Sequence, residues 1–295
     1  MIRSLHSLVA ILALLCLGAT PLFARPNAAK PGLWKLTDTD TTIYLFGTIH
    51  VLPKDYVWRS PAVDAALTAS DELVLEVIDS DDKDAVRTVF TELSTSPGLP
   101  PVNDRVPAKK RPRLATMLKM LGRTPAQMTP YESWAVSLVL VGAMLRDVGL
   151  ETQSGVETQV SALFAAAKKP ISGLETTRDQ LGFFDRLSET AQRFLLVNMI
   201  DSSTVQRRQF DAMIKAWRSG NDRAISATFD RELKASPELL DALLSQRNVN
   251  WTNQLATRLK TPGTVFVAVG AGHLAGKQSV QAMLAAKGLK VTRVQ

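Results

Sequence analysis

The sequence predicts an α/β fold: a mixed, largely parallel central sheet with helices packed on it and a large helical portion attached. Three observations lead there. Short β-type runs alternate with amphipathic stretches in the order strand, helix, strand, helices, strand, helices, strand, helix, strand. The run Glu72-Leu73-Val74-Leu75-Glu76-Val77-Ile78 is almost continuously apolar, as in a strand covered on both faces. No repeat of fixed period and no low-complexity linker interrupts the chain.

Residues 33–36 and 42–46 read as two strands of a hairpin turned at Asp38-Thr39-Asp40. Ser60-Pro61 pairs an N-cap residue with a proline at the first helical position and opens a helix to about Ala69. After the strand at residues 72–78, residues 83–169 read as helical. Segments fall near 83–93, 108–121, 130–147 and 155–168, with a proline-rich connection at residues 97–107. Pro170 to Glu175 is a further short strand, and residues 176–259 form a second helical stretch in which Ser236-Pro237 marks another start. Thr264 to Val269 is a β-branched strand, Lys277 to Lys287 a helix closed by Gly288, and Leu289 to Val294 a last strand.

Arg3, the apolar run Leu8 to Gly18 and the small Ala24 have the layout of a secretory signal peptide, with cleavage expected after Ala24. The apolar run is too short to span a bilayer, and no other stretch is long enough to do so. Leu15 stands before Cys16 where a lipoprotein signal wants a small residue, which argues against lipid anchoring. The reading is a periplasmic or secreted protein, residues 25–295 forming one domain. Removing residues 1–24 also removes Cys16, the only cysteine, so disulfides and thiolate-bound metals are excluded from the mature chain.

The formal charge is +7; without Arg3 it is near +6, from 34 basic and 28 acidic residues. That excess is spread out. Its one concentration, Lys109-Lys110-Arg111-Pro112-Arg113, reads as a solvated helix start, and nucleic acid is not an expected partner of an exported protein.

Of three histidines, His6 leaves with the signal segment, and His50 and His273 share one frame: Gly47-Thr48-Ile49-His50 and Gly270-Ala271-Gly272-His273. Both follow predicted strands. Ligands in open α/β sheets collect at the carboxyl ends of parallel strands, and His50, Glu76, Glu175 and His273 all fall at or near such ends. Glu76, among five apolar neighbours, needs a cationic or hydrogen-bonding partner, because an unpaired buried carboxylate costs several kcal/mol, a cost of about that order being general. Two histidines and one or two carboxylates form a nitrogen and oxygen donor set suited to a divalent ion. Glu175 and Glu157 have a simpler explanation as carboxylates at helix N-termini. Arg247-Asn248 before Trp251 reads by itself as a solvated helix face with one buried aromatic.

"YLFGTIHVLP", "ELVLEV", "KPISGLET", "QRNVNW" and "VFVAVGAGHLAG" occur in the order and spacing of the TraB/GumN family, which the chain resembles from about Leu33 to Val294. The relatives of that family include the Tiki proteases that cleave Wnt ligands. The resemblance implies a fold related to the ChaN and erythromycin-esterase group and a site built from His50, His273 and Glu76, with Glu175 and Arg247 beside them. It also implies a metal-dependent peptidase favouring manganese or cobalt over zinc. Unlike the Tiki proteins this chain is expected to be exported without a membrane anchor, and it carries Glu157 where many relatives have aspartate.

The function expected on these grounds is metal-dependent hydrolysis, with a peptide or protein as substrate. His50, Glu76 and His273 would hold or flank the ion, one histidine or Glu175 would act as general base, and Arg247 would face a developing oxyanion. Ligand and base remain unassigned among them. Two alternatives stand beside it: capture of haem or a metal by the same histidines without hydrolysis, and a regulatory or export role.

Overall fold

A computed structural model describes residues 29–78, 83–148, 150, 155–233 and 236–295. The expected signal segment, with His6 and Cys16, lies outside the described residues.

Six strands form one sheet: β1 (Leu33–Thr37), β2 (Thr41–Thr48), β3 (Glu72–Val77), β4 (Ile171–Glu175), β5 (Gly263–Gly270) and β6 (Val291–Arg293), in the order β4-β3-β5-β2-β1-β6. Strands β4, β3, β5 and β2 run parallel, while β1 is antiparallel to both β2 and β6. All six expected strands are present, and the mixed, largely parallel α/β architecture is the one the alternation implied.

The helices are α1 (Pro61–Ala69), α2 (Lys83–Ser94), α3 (Arg111–Met120), α4 (Pro125–Met128), α5 (Ser133–Asp147), α6 (Val156–Ala166), α7 (Thr177–Asp185), α8 (Glu189–Met199), α9 (Ser203–Arg218), α10 (Asp222–Leu233), α11 (Pro237–Leu240), α12 (Gln246–Arg258) and α13 (Val280–Ala286). Local chemistry fixes several starts. Ser60 caps α1 through a bond from the Val63 amide, with Pro61 at the first turn. At α7, Thr176 and Asp179 form a reciprocal capping box.

Two differences from the sequence reading are small. The basic run at residues 108–110 makes a 3-10 turn before α3, and α13 starts at Val280 behind Ser279, because the chain first turns through a 3-10 segment at Ala271–Leu274. A third matters more: the helical stretch before Arg247 contains a π turn, Asp241–Ser245, running directly into α12.

Alternation along the strands divides the core between two faces. Phe46, Leu73, Leu75, Phe266 and Ala268 face α1, α6, α9 and α10 through Val63, Val160, Phe164, Trp217 and Ile225. The intervening residues Ile43, Leu45, Val74, Val265, Val267 and Val269 pack against Trp251 and Leu255 of α12 and Val280 and Leu284 of α13. Parallel strands covered on both faces must be apolar throughout, which is why β3 and β5 read as continuous runs. A separate apolar cluster joins Leu114 and Leu118 of α3, Val136 and Leu140 of α5, and Leu196 of α8, so the helical portion has its own interior.

The sheet register sets the site. Thr48 pairs with Gly270 at the last position of the β2–β5 ladder, so the two Gly-x-x-His frames leave adjacent strands at the same level. A Cβ on Gly47 would lie 3.2 Å from Ala271 Cα, so glycine allows the two turns to touch. Buried Trp217 on α9 anchors this corner, its Nε1 donating to the Gly47 carbonyl at 2.7 Å. Replacing Trp217 with phenylalanine leaves that carbonyl without this donor. Urea unfolding of Trp217→Phe is expected to show a loss of about 1–3 kcal/mol with an unchanged denaturant slope.

Candidate functional site

Across the carboxyl ends of β2, β5, β3 and β4 stand His50, His273, Glu76 and Glu175, in that spatial order. The four strand-end residues singled out in the sequence thus share one edge of the sheet. Arg247 reaches over them from the first turn of α12.

Arg247 is the hub. Its Nε donates to Glu175 Oε1 at 2.9 Å, and its Nη2 donates to Glu175 Oε2 and Glu76 Oε2, both at 2.8 Å. Nη1 donates to the Leu243 carbonyl of the π turn at 3.3 Å and meets His273 Nε2 at 3.2 Å. A guanidinium has five N–H groups, and these contacts engage all five. The ring faces of Trp251 and Phe183 lie 4.7 and 5.7 Å from its central carbon. Arg247, Asn248 and Trp251 are buried, so this turn of α12 is an inner face and the solvated-face reading does not hold. Nor is a donor of Arg247 spare for an oxyanion in this arrangement.

The hub decides the state of His273. Arginine can only donate, so Nε2 presents its lone pair to Nη1 and the ring proton sits on Nδ1. Nδ1 then donates to Asn248 Oδ1 at 2.6 Å, and the Asn248 amide is oriented by its bond to the Gln278 carbonyl at 2.7 Å. Burial pushes His273 down to about 3, so it is neutral at physiological pH. Glu76 is also moved, to about 2. Burial opposes its ionisation, but the neighbouring His273 ring, the cations of Arg247 and His50, and the Gly270 amide at 2.7 Å outweigh it. Since His273 is itself neutral, Arg247 supplies the decisive charge. Burial raises Glu175, against the pull of Arg247.

His50 is differently placed. Its Nδ1 lies 2.8 Å from Glu157 Oε1, and Thr48 donates its hydroxyl to the same oxygen. Glu157 occupies the first turn of α6, as a helix-terminal carboxylate should, and there it also holds the histidine. The approach needs Gly155, where a Cβ would come within 2.2 Å of the His50 carbonyl oxygen. The Glu157 hydrogen bond raises His50 to about 9. Protein crowds the residue, yet solvent reaches 69% of its side chain and screens the pairing; the upward direction follows from the 2.8 Å contact.

Gly270 leaves the centre open. The position a Cβ would take there is 3.1 Å from Glu76 Oε1, 3.7 Å from His273 Cδ2 and 3.8 Å from His50 Nε2. The three side chains therefore surround one small space. The concavity of about 510 Å³ lined by Phe229, Leu240, Leu244, Asn248 and Gln278 lies beside this centre rather than in it, touching it through Asn248 and Gly272.

The expected metal ligands can now be tested against their partners. His50 Nε2 faces the open space, and Glu76 Oε1 carries one amide bond. His273 has no free nitrogen, with Asn248 on one side and Arg247 on the other. Among the described residues no three His, Cys, Asp or Glu side chains are spaced to hold a metal ion. As placed, the set His50, Glu76 and His273 does not form a ligand cage. The residues the sequence reading missed as site members are Thr48, Asn248, Trp251 and Gly270, and for Glu157 it preferred the helix-terminal role alone. The spacing of 247, 248 and 251 on one helical turn was the available signal for α12.

The two glycine-histidine turns on adjacent strands, with Glu76 and Arg247 between them, agree with the sequence comparison. The TraB/PrgY/gumN family pattern matches residues 32–293. The chain belongs to the TraB/PrgY/gumN family. Similar proteins include YbaP of Escherichia coli strain K12, itself described as uncharacterized, which is 24% identical over 244 residues covering 82% of this chain and 87% of that protein. YbaP of Shigella flexneri matches to the same extent. No solved structure matches the chain.

The His50–Glu157 pairing has a direct readout. A histidine whose folded pKa exceeds the unfolded 6.5 contributes stability that is full below pH 6.5 and is lost as pH rises through about 9. In Glu157→Gln, an NMR titration of the His50 ring is expected to move down toward 6.5, with His273 still untitrated at neutral pH.

Proposed function

We propose that this member of the TraB/PrgY/gumN family is an exported hydrolase of acyl bonds, with peptides as its substrate class. The observation that carries the reading is the His50–Glu157 pair, whose second ring nitrogen opens onto the same small space as ionised Glu76. A carboxylate and a cationic imidazole beside one solvent-reachable space are the components of acid–base hydrolysis.

In this reading a water in the space beside Gly270 is oriented by Glu76 and attacks the scissile carbonyl, passing a proton to the carboxylate. His50, protonated through Glu157, gives a proton to the leaving nitrogen, and solvent restores both groups. Arg247 and His273 position Glu76 without touching substrate. The family resemblance points to a divalent ion as well, but His273 is already engaged at both nitrogens, so no step is assigned to one. Haem capture through His50 is the competing reading; a Soret band on reconstitution that His50→Ala abolishes would replace hydrolysis.

The test is cleavage of a mixed peptide library by residues 25–295. His50→Ala is expected to lower kcat/KM by about a hundred- to ten-thousand-fold, the usual worth of a general acid. Gly270→Ala, whose methyl would enter the space, is expected to keep the fold and lose activity to a similar degree. If both variants cleave as well as the parent chain, the reading fails.

The pH profile follows the sign of the shifts. Glu76 is ionised above about 2 and His50 stays protonated up to about 9, so activity should hold through neutrality and fall as pH climbs through about 9. In Glu157→Gln that alkaline limb should move to lower pH.

A further inference from the structure

Beside the centre is a concavity that the hydrolytic reading leaves unused. It holds about 510 Å³ and opens between α10, the π turn before α12 and the loop after His273, with Phe229, Leu240, Leu244 and Ala275 as its apolar lining. Leu240 and Leu244 lie one helical turn apart and belong to none of the apolar clusters that hold the fold together, so their side chains are committed to this space instead. Apolar surface kept at a cavity wall gives its full hydrophobic stabilisation only when something apolar covers it.

The polar side chains of the wall are already engaged. Ser226 Oγ donates to Asp230 at 3.4 Å, the Asn248 amide donates to the Gln278 carbonyl at 2.7 Å, and Gln278 Oε1 accepts from Ser245 at 2.9 Å. Asp230 and Lys277 are both exposed and opposite in charge, so the rim favours neither sign of ligand. Gly272 and Gly276 shape the wall, since a Cβ would come within 2.5 Å of the Phe229 ring at the first and of Ser226 Oγ at the second. The space also adjoins the centre directly: Asn248 holds His273 Nδ1, and Gly272 precedes that histidine in the chain. Gly272 is two residues on from Gly270, so their Cα atoms are no more than about 7 Å apart, a span that two extended residues of a peptide cover.

We propose that this concavity is the specificity subsite of the enzyme, receiving a large apolar side chain of the peptide within about two residues of the bond that is cleaved. The inference rests on the hydrolytic reading above and names the peptides that the site selects. A phenylalanine, leucine or methionine side chain would be covered by Phe229, Leu240 and Leu244 without leaving a polar wall group unpaired. A charged side chain would lose hydration there and find no dedicated partner. Hydrophobic pockets distinguish side chains by about ten- to two-hundred-fold for each methylene they accommodate, which sets the scale of the selectivity.

The test reads selectivity rather than rate, so that a general loss of activity does not imitate it. Residues 25–295 are incubated with a mixed peptide library and the products sequenced by mass spectrometry. A cleaved peptide is then remade with phenylalanine or alanine at each of the two positions on either side of the cleaved bond. At one of these positions the parent chain is expected to favour phenylalanine by at least about tenfold in kcat/KM. Leu244→Gln, which puts an amide in the wall, and Leu240→Trp, which fills the space, are each expected to bring that ratio close to one. Both variants should melt with the parent chain, since neither leucine is part of a core cluster; if one melts lower, the other carries the measurement. Cleavage by the parent chain with no apolar preference at any of these positions would overturn the proposal and leave hydrolysis standing. So would a preference that persists in both folded variants. A parent chain that cleaves no peptide overturns the hydrolytic reading, and this subsite with it.

Discussion

The centre depends on one guanidinium. Glu76 and Glu175 end adjacent parallel strands whose flanks are apolar, so both carboxylates are carried inside by the burial of their neighbours. Desolvating two like charges together is unfavourable by several kcal/mol, an order set by the loss of hydration, unless a cation and hydrogen bonds replace the water. Arg247 does both, because its planar fork spans the two carboxylates and still reaches His273. Lysine could supply the charge but not the five directed donors. Removal of one partner from such a buried set generally costs about 3–5 kcal/mol, so stability and site geometry reside in the same residues here.

The π turn at Asp241–Ser245 belongs to this constraint. Extra-wide turns inside helices are rare and are found frequently at functional sites. Here the turn immediately precedes α12, and its Leu243 carbonyl accepts one of the Arg247 N–H groups. That bond completes the saturation of the fork. Trp251, one turn further along α12, then closes the arrangement by lying against the Arg247 guanidinium and the His273 ring, 4.2 Å from the latter.

Much of this was legible in the sequence, for identifiable reasons. Buried parallel strands must be apolar, so β3 and β5 stood out, and polar residues at their ends were conspicuous against that background. The matching Gly-x-x-His frames were readable because a one-residue difference in register would have separated them, and the Thr48–Gly270 pairing shows that they leave the sheet level. Arg247 was legible only through the family resemblance. Its helix mixes polar and apolar residues as a surface helix does, and the polar ones turn inward because they have each other as partners. Glu157 was misjudged for the opposite reason: its local explanation was correct and sufficient, while its contact with His50 crosses more than a hundred residues of sequence.

The division between the two histidines follows from these contacts. Both follow a glycine turn, yet one is neutral, buried and saturated, and the other is cationic and open. A histidine held at both nitrogens cannot exchange a proton without breaking a bond, whereas one held at Nδ1 by a carboxylate keeps Nε2 for chemistry. The pair is therefore not a symmetric clamp. His273 is held between Arg247 and Asn248 beside the space next to Gly270, and His50 is the member whose second ring nitrogen stays open to that space.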